Sequence, residues 1–190
     1  MAIYYIFTND KVRKELTEEL NKNIPNPDEL TYDSFKNCKF LDAVLNETMR
    51  IFSTVNGIFP REAKMDHELT VHIAGKDVKF PVKKGTLVNA QSVTTHYKDT
   101  IYKDPMEFNP HRFLDEEGKL VNPEPFTFMN FSGGTRSCVG KQLAMNEMRV
   151  LITAIVTGFD VQVNDEEKIM LHKAFAATME GVVFKIRPLK

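Results

Sequence analysis

The segment of this chain best equipped for chemistry is Phe131-Ser-Gly-Gly-Thr-Arg-Ser-Cys-Val-Gly140. A metal-binding thiolate must be deprotonated, presented to its metal and shielded from oxidants. Gly133, Gly134 and Gly140 let the backbone turn tightly and approach a flat ligand closely. Cys138 sits just before a predicted helix, where free N–H groups and the positive dipole end favour an anion. Arg136 adds a cation whose planar fork suits a carboxylate, and Phe131 adds an aromatic wall. Other chemistries compete for the same cysteine. A lone cysteine is often a small buried hydrophobe. It can also be a nucleophile, although no histidine lies close by to act as base. Zinc has little support, because there is no CxxC or HExxH and the five histidines are scattered.

A second group of charged residues lies upstream. Glu47 and Arg50 are spaced i, i+3, so on a helix they share a face and can pair. Taken alone, such a pair is usually a solvated bridge that contributes little. Arg61 is a further candidate, which read alone is a surface arginine.

The elements that position these residues follow from periodicity. Val12, Leu16 and Leu20 form one stripe of a helix from about Asp10 to Asn23, capped by Asn9 or Asp10 and stopped by Pro25 and Pro27. A helical stretch near Thr31 leads into a strong helix from about Phe40 to Phe52. Glu68 to Phe80 alternates around Ala74-Gly75-Lys76, which predicts a β-hairpin, and Thr86-Leu87-Val88 reads as a strand. From Tyr102 to Asn130 regularity disappears under four prolines, while Phe108, Phe113, Phe126 and Phe128 argue that the stretch is ordered. A helix from about Lys141 to Thr157 follows the cysteine, with Leu143, Ala144, Met148, Leu151, Ile152 and Ile155 on its inner face and Gly158 as its stop. Short strands fill the remainder. Helices and strands mix without βα alternation, which predicts an α+β fold, mainly helical.

Composition narrows the partners. The 190 residues are 42% hydrophobic and 27% charged, with a formal charge of −1. A near-neutral chain lacks the clustered basic surplus that nucleic acid requires. No apolar run reaches the roughly 18 residues of a membrane span, and Met1 to Phe7 lacks the charged n-region and cleavage site of a signal peptide. Two cysteines do not make a disulfide framework and suit a reducing compartment. The apolar opening Ala2-Ile3-Tyr4-Tyr5-Ile6-Phe7 has no polar cap and reads as the tail of a buried helix.

Phe131, Gly134, Arg136, Cys138 and Gly140 match without departure the cysteine-loop motif F-x-x-G-x-R-x-C-x-G, and the chain resembles the cytochromes P450. Glu47-Thr48-Met49-Arg50 resembles that family's E-x-x-R motif, and Asn109-Pro110-His111-Arg112-Phe113 its P-x-R-F segment, with His111 where glutamate is common. Phe59-Pro60-Arg61-Glu62 is similar to the strand after the K helix, and Lys141 to Phe159, with Ala144 and Glu147, to the L helix. His96-Tyr97-Lys98-Asp99 resembles the H-x-x-D stretch, read as structural. The resemblance covers nearly the whole chain.

The resemblance implies that Cys138 is the axial ligand of haem b (iron protoporphyrin IX), with Phe131, Gly134 and Gly140 around it. It implies that Arg136 holds one haem propionate and Arg61 a second. Glu47, Arg50 and Arg112 would form a buried triad serving folding and haem retention, since removing one partner of such a network costs roughly 3–5 kcal/mol. Residues 1–190 would be the C-terminal haem-binding part of a single domain whose N-terminal part is absent. Its elements would be the end of the I helix, the J and K helices, short β-sheets, the meander, the cysteine loop, the L helix and a C-terminal β-hairpin. Val55 to Phe59 and Ala174 to Thr178 would be substrate-contacting loops, with Val55, Ile58 and Phe175 pointing to a hydrophobic small molecule. The parent protein would insert one oxygen atom of O₂ into that substrate. An NADPH-dependent flavoprotein reductase would supply electrons at the face near Cys138, where Lys141 either contributes to docking or is simply solvated. The parent would sit on the cytosolic face of the endoplasmic reticulum. The chain alone is expected to be inactive, poorly soluble and weak in haem retention, because one side of its first helix and of the haem would be uncovered. Alternatives are a haem-binding fragment or half of a split protein without turnover of its own, and a decayed remnant. Intact Cys138, Arg136, Glu47, Arg50 and Arg112 count against decay.

Overall fold

The apolar opening forms helix α1 (Ala2–Thr8), which begins at Met1 without a side-chain cap. Asn9 is extended, so it ends α1 and caps α2 (Asp10–Asn23), accepting a hydrogen bond from Val12 N at 3.2 Å. Helical spacing brings Val12, Leu16 and Leu20 to one face, and all three are buried as expected. The computed structural model describes residues 1–26, 29–55, 60–164, 170–173 and 177–189, so Pro27 lies outside the described residues. The stretch expected to be helical from Thr31 is a single 3₁₀ turn, Tyr32–Phe35, closed by reciprocal contacts between Thr31 and Ser34.

Helix α3 (Lys39–Ile51) has no side-chain cap of its own, because its N-cap is Cys38. Glu19 of α2 fills that role: its two carboxylate oxygens accept from Phe40 N and Leu41 N, each at 2.8 Å. Burial raises the Glu19 pKa in spite of these bonds. Strands β1 (Arg61–Glu62), β2 (His67–Ile73), β3 (Lys76–Val82) and β4 (Leu87–Val88) follow. The predicted hairpin is β2–β3, with Leu69 opposite Phe80 and Val71 opposite Val78. Ala74 and Gly75 both have positive φ, +49° and +79°, as a two-residue hairpin turn demands. β1 pairs antiparallel with β4.

Between β4 and the last helix, regular structure is confined to 3₁₀ turns, among them Ser92–Tyr97, Pro110–Phe113 and Gly134–Arg136, and one bridge, Leu114 to Leu120. The phenylalanines expected to order this stretch divide. Phe113 is buried against Tyr102 and Ala43, with Phe128 packed on them, and Phe108 stacks on Tyr5 of α1, but Phe126 is exposed. Helix α4 (Lys141–Gly158) leads into β5 (Phe159–Asn164), β6 (Met170–Lys173), β7 (Ala177–Glu180) and β8 (Val183–Pro188). β5 pairs with β8 and β6 with β7, both antiparallel. Four helices and four two-stranded sheets among the described residues give the α+β architecture that the sequence predicts. No helix among them is long and apolar enough to cross a membrane.

The main core joins the α2 stripe to Leu41 and Val44 of α3 and to Met145, Ile152 and Val156 of α4. This corrects the face assigned to α4. Leu143 and Leu151 point away from the core, 64% and 55% exposed, while Ala144, Met148 and Ile155 lie at its margin. The reason is that α4 is apolar around most of its circumference, so periodicity alone does not choose a side. The packed side is set by where α2 and α3 stand.

Candidate functional site

Glu47 and Arg50 project from one face of α3 into complete burial, both 0% exposed. Arg50 grips the carboxylate bidentately, Nε to Oε2 at 2.7 Å and Nη2 to Oε1 at 2.9 Å. Arg112 arrives from the Pro110–Phe113 turn and donates Nε to Glu47 Oε1 at 3.0 Å, and the Asn109 backbone N–H adds a fourth bond at 2.9 Å. The two guanidiniums spend their remaining donors on backbone carbonyls. Arg50 reaches His96 O at 2.7 Å and Glu107 O at 3.3 Å, and Arg112 reaches Lys103 O at 2.9 Å. The Arg50 guanidinium also lies over the Tyr102 ring, 5.1 Å from its centroid. The network therefore stitches α3 to irregular chain around His96, Lys103 to Glu107 and Asn109, with one carboxylate shared by two guanidiniums whose other donors meet backbone carbonyls.

The chain continues from Phe128 into the cysteine loop. Ser132 takes a positive φ of +59° and Gly134 one of +68°; at Gly134 the conformation is the reason for glycine, because a Cβ there would meet nothing within 4 Å. Cys138 N–H donates to Phe131 O at 2.8 Å, which closes the loop and places the cysteine three residues before Lys141, the first residue of α4. Its thiol is exposed. A Cβ on residue 140 would come to 3.8 Å from Cys138 Sγ, so Gly140 keeps that flank of the sulfur clear. Arg136 is exposed and has no hydrogen-bond or ion-pair partner among the described residues. Phe131 is half-buried on the main core, with Lys141 Nζ 5.9 Å from its ring centroid. Arg61 is exposed on β1. Residues 56–59 and 174–176, which include Ile58, Phe59 and Phe175 of the expected substrate loops, lie outside the described residues.

Among the predicted residues, then, Glu47, Arg50 and Arg112 come together, and Phe131, Gly134, Arg136, Cys138 and Gly140 share one loop. Three partnerships escaped sequence reasoning. Arg149 of α4 holds Asp42 of α3 through two bonds of 2.7 and 2.9 Å, and its Nη1 reaches Asn146 at 3.0 Å. An acid inside the apolar run Phe40-Leu41-Asp42-Ala43-Val44 does signal a buried partner, but not which one. Glu19 caps α3 across an interhelix distance that no spacing rule covers. His111, at the motif's usual glutamate, meets Glu15 of α2 at 3.1 Å and lies beside the Phe40 ring. Cys38 contrasts with Cys138: it is fully buried, and burial, with Glu19 nearby, pushes its pKa up to about 11.

The family model described as "Cytochrome P450" matches residues 1–188. Cytochrome P450 3A31 of Mesocricetus auratus is 30% identical over 98% of this chain, and cytochrome P450 3A41 of Mus musculus 32% identical over 98%. Cytochrome P450 3A27 of Oncorhynchus mykiss is 30% identical, also over 98%. The chain spans about a third of the length of these relatives, 36%, 36% and 33% respectively.

Proposed function

Because this chain belongs to the cytochrome P450 family, we propose that Cys138 is the axial thiolate ligand of haem b in a monooxygenase of which residues 1–190 form the C-terminal haem-binding part of a single domain. The observation that carries this reading is the state of the cysteine loop. Its thiol is exposed and its arginine is unpaired among the described residues, although the chain beside it is densely hydrogen-bonded.

The residues present fit the group. Cys138 would supply the axial ligand, and the bare flank at Gly140 leaves room beside the sulfur. Arg136 would pair a propionate, and Arg61 would serve the second. Phe131 and Gly134 would shape the wall and turn of the loop. The triad of Glu47, Arg50 and Arg112 would hold the loop's foundation and touch no substrate. When bound, haem supplies the activation of O₂, and thiolate ligation favours O–O cleavage.

The parent's reaction would place one oxygen atom of O₂ in a hydrophobic small molecule and reduce the other to water, with two electrons from an NADPH-dependent flavoprotein reductase and two protons. Such a protein would work at the cytosolic face of the endoplasmic reticulum. A second reading has its own support: this chain spans a third of its relatives' length and leaves Leu143, Val150 and Leu151 of α4 exposed. On that reading the chain binds haem, alone or beside a separate half, without turnover of its own.

The test is to supply haem to the chain, reduce it under carbon monoxide and record the Soret band, with Cys138→Ala as control. A red-shifted thiolate-type band that disappears in the control supports Cys138 as ligand. A band unchanged in the control overturns it. Turnover of a hydrophobic substrate with reductase and NADPH then separates an enzyme from a haem-binding piece.

A further inference from the structure

We propose that His96 is the positioning residue that ties the buried carboxylate network to the cysteine loop. Its backbone carbonyl accepts Arg50 Nη1 at 2.7 Å, and its imidazole Nε2 accepts the Met129 backbone N–H at 3.4 Å. The residue is 1% exposed, and its ring packs 5.7 Å from Phe128, which in turn meets Phe113 edge-on at 5.3 Å. His96 thus holds the network through its main chain and the approach to the loop through its side chain.

Met129 passes that hold on. Its carbonyl accepts Ser132 N–H at 3.0 Å, where the backbone turns into positive φ. Its Cε lies 3.1 Å from where a Cβ on Gly133 would stand, so the turn is packed directly on this side chain. Between these two residues, Phe131 O accepts Cys138 N–H. One residue, Met129, hydrogen-bonded to the imidazole, therefore supports the turn, two residues before the carbonyl that anchors Cys138.

The choice of histidine supports the assignment. With Nε2 accepting, the proton resides on Nδ1, and Nδ1 is buried without a partner among the described residues. An unpaired buried N–H opposes folding, so leucine or methionine would fill this space at lower cost. What those residues lack is the acceptor for Met129. The inference goes beyond the proposed function, because it concerns how the loop is held and stands whether or not Cys138 meets haem.

The experiment compares the full chain with His96→Leu, which keeps bulk but loses the acceptor, and His96→Gln, whose Oε1 can accept at similar reach. Amide hydrogen exchange is read across residues 128–138, and the Cys138 alkylation rate is read by peptide mass spectrometry, which separates it from Cys38. The expected result is about tenfold faster exchange and alkylation in His96→Leu, the change that loss of one hydrogen bond of ordinary net strength produces. Exchange at the α2 amides should not move, and His96→Gln should stay within about twofold of the parent chain. Equal behaviour of Leu and Gln, no change in Leu, or a parallel change in α2 overturns the proposal. If His96→Leu does not fold, His96→Gln decides: a protected loop supports the proposal and a released or unfolded one overturns it.

Discussion

The carboxylate network and the cysteine loop are linked through His96, which accepts from both Arg50 and Met129, but they differ in how completely the protein uses its own polar groups. Around Glu47 and Arg50 the charges are buried, bidentate and closed off by backbone carbonyls. Around Cys138 a thiol is exposed and a guanidinium, that of Arg136, is left without a partner among the described residues. The two cysteines repeat the contrast, since Cys38 is sealed in the core with its pKa pushed up to about 11. In the network nearly every donor and acceptor meets a protein partner; in the loop the backbone is hydrogen-bonded while the thiol and the guanidinium stay open.

This comparison can be broken most forcefully at Glu47. Glu47→Ala strands Arg50 as an uncompensated buried cation and should remove roughly 3–5 kcal/mol of stability, read by chemical denaturation. A loss below 1 kcal/mol would mean that the network is ornamental.

Acid attacks the same side next. Burial, with a smaller contribution from the positive charge of Arg50, lowers the His96 pKa to about 4 from its ordinary 6.5. The unfolded chain therefore takes up the additional proton first, and stability present above pH 6.5 is lost as the pH falls toward 4. The slope from this group approaches roughly 1.4 kcal/mol per pH unit in that window. A pH series of melts should show it, and His96→Gln should remove it.

A smaller effect is expected at the joint between α3 and α4. Asp42→Asn gives up one charge of a pair that is still partly solvated, so about 1–3 kcal/mol should be lost. Exchange should rise at the N-terminal turns of α4 more than in α2.

The smallest change should come from the loop itself. Cys138→Ala touches an exposed side chain and should alter stability by no more than about 0.5 kcal/mol, while abolishing fast alkylation by a maleimide. Cys38, buried and protonated, should label only as the chain unfolds. Labelling of both thiols at one rate would erase the distinction between the two regions.

Much of this could be read before any coordinates. The decapeptide from Phe131 to Gly140 and the Glu47/Arg50 pair are local patterns, and local spacing carries directly into geometry on a helix or a tight turn. The hairpin at Ala74-Gly75 and the stripe of α2 were legible for the same reason. Other features were not. Asp42 and Arg149 are 107 residues apart, and Glu19 reaches the α3 amides over an interval of 21 and 22 residues. No periodicity links such positions. The packed side of α4 was not legible because a helix apolar around most of its circumference does not single out one stripe.

By itself, then, the sequence determined the chemistry available to this protein: one cysteine in a glycine-rich turn beside an arginine, and an acid with two candidate basic partners. Those are properties of residue type and short-range spacing, which survive without knowledge of the fold. Only the tertiary structure decided which of these groups would be sealed and which left open. Burial and hydrogen-bond satisfaction depend on segments far apart in the chain. His96 shows the division most clearly. In sequence it is an unremarked histidine of a structural stretch; in the fold its two ends fall between Arg50 and Met129.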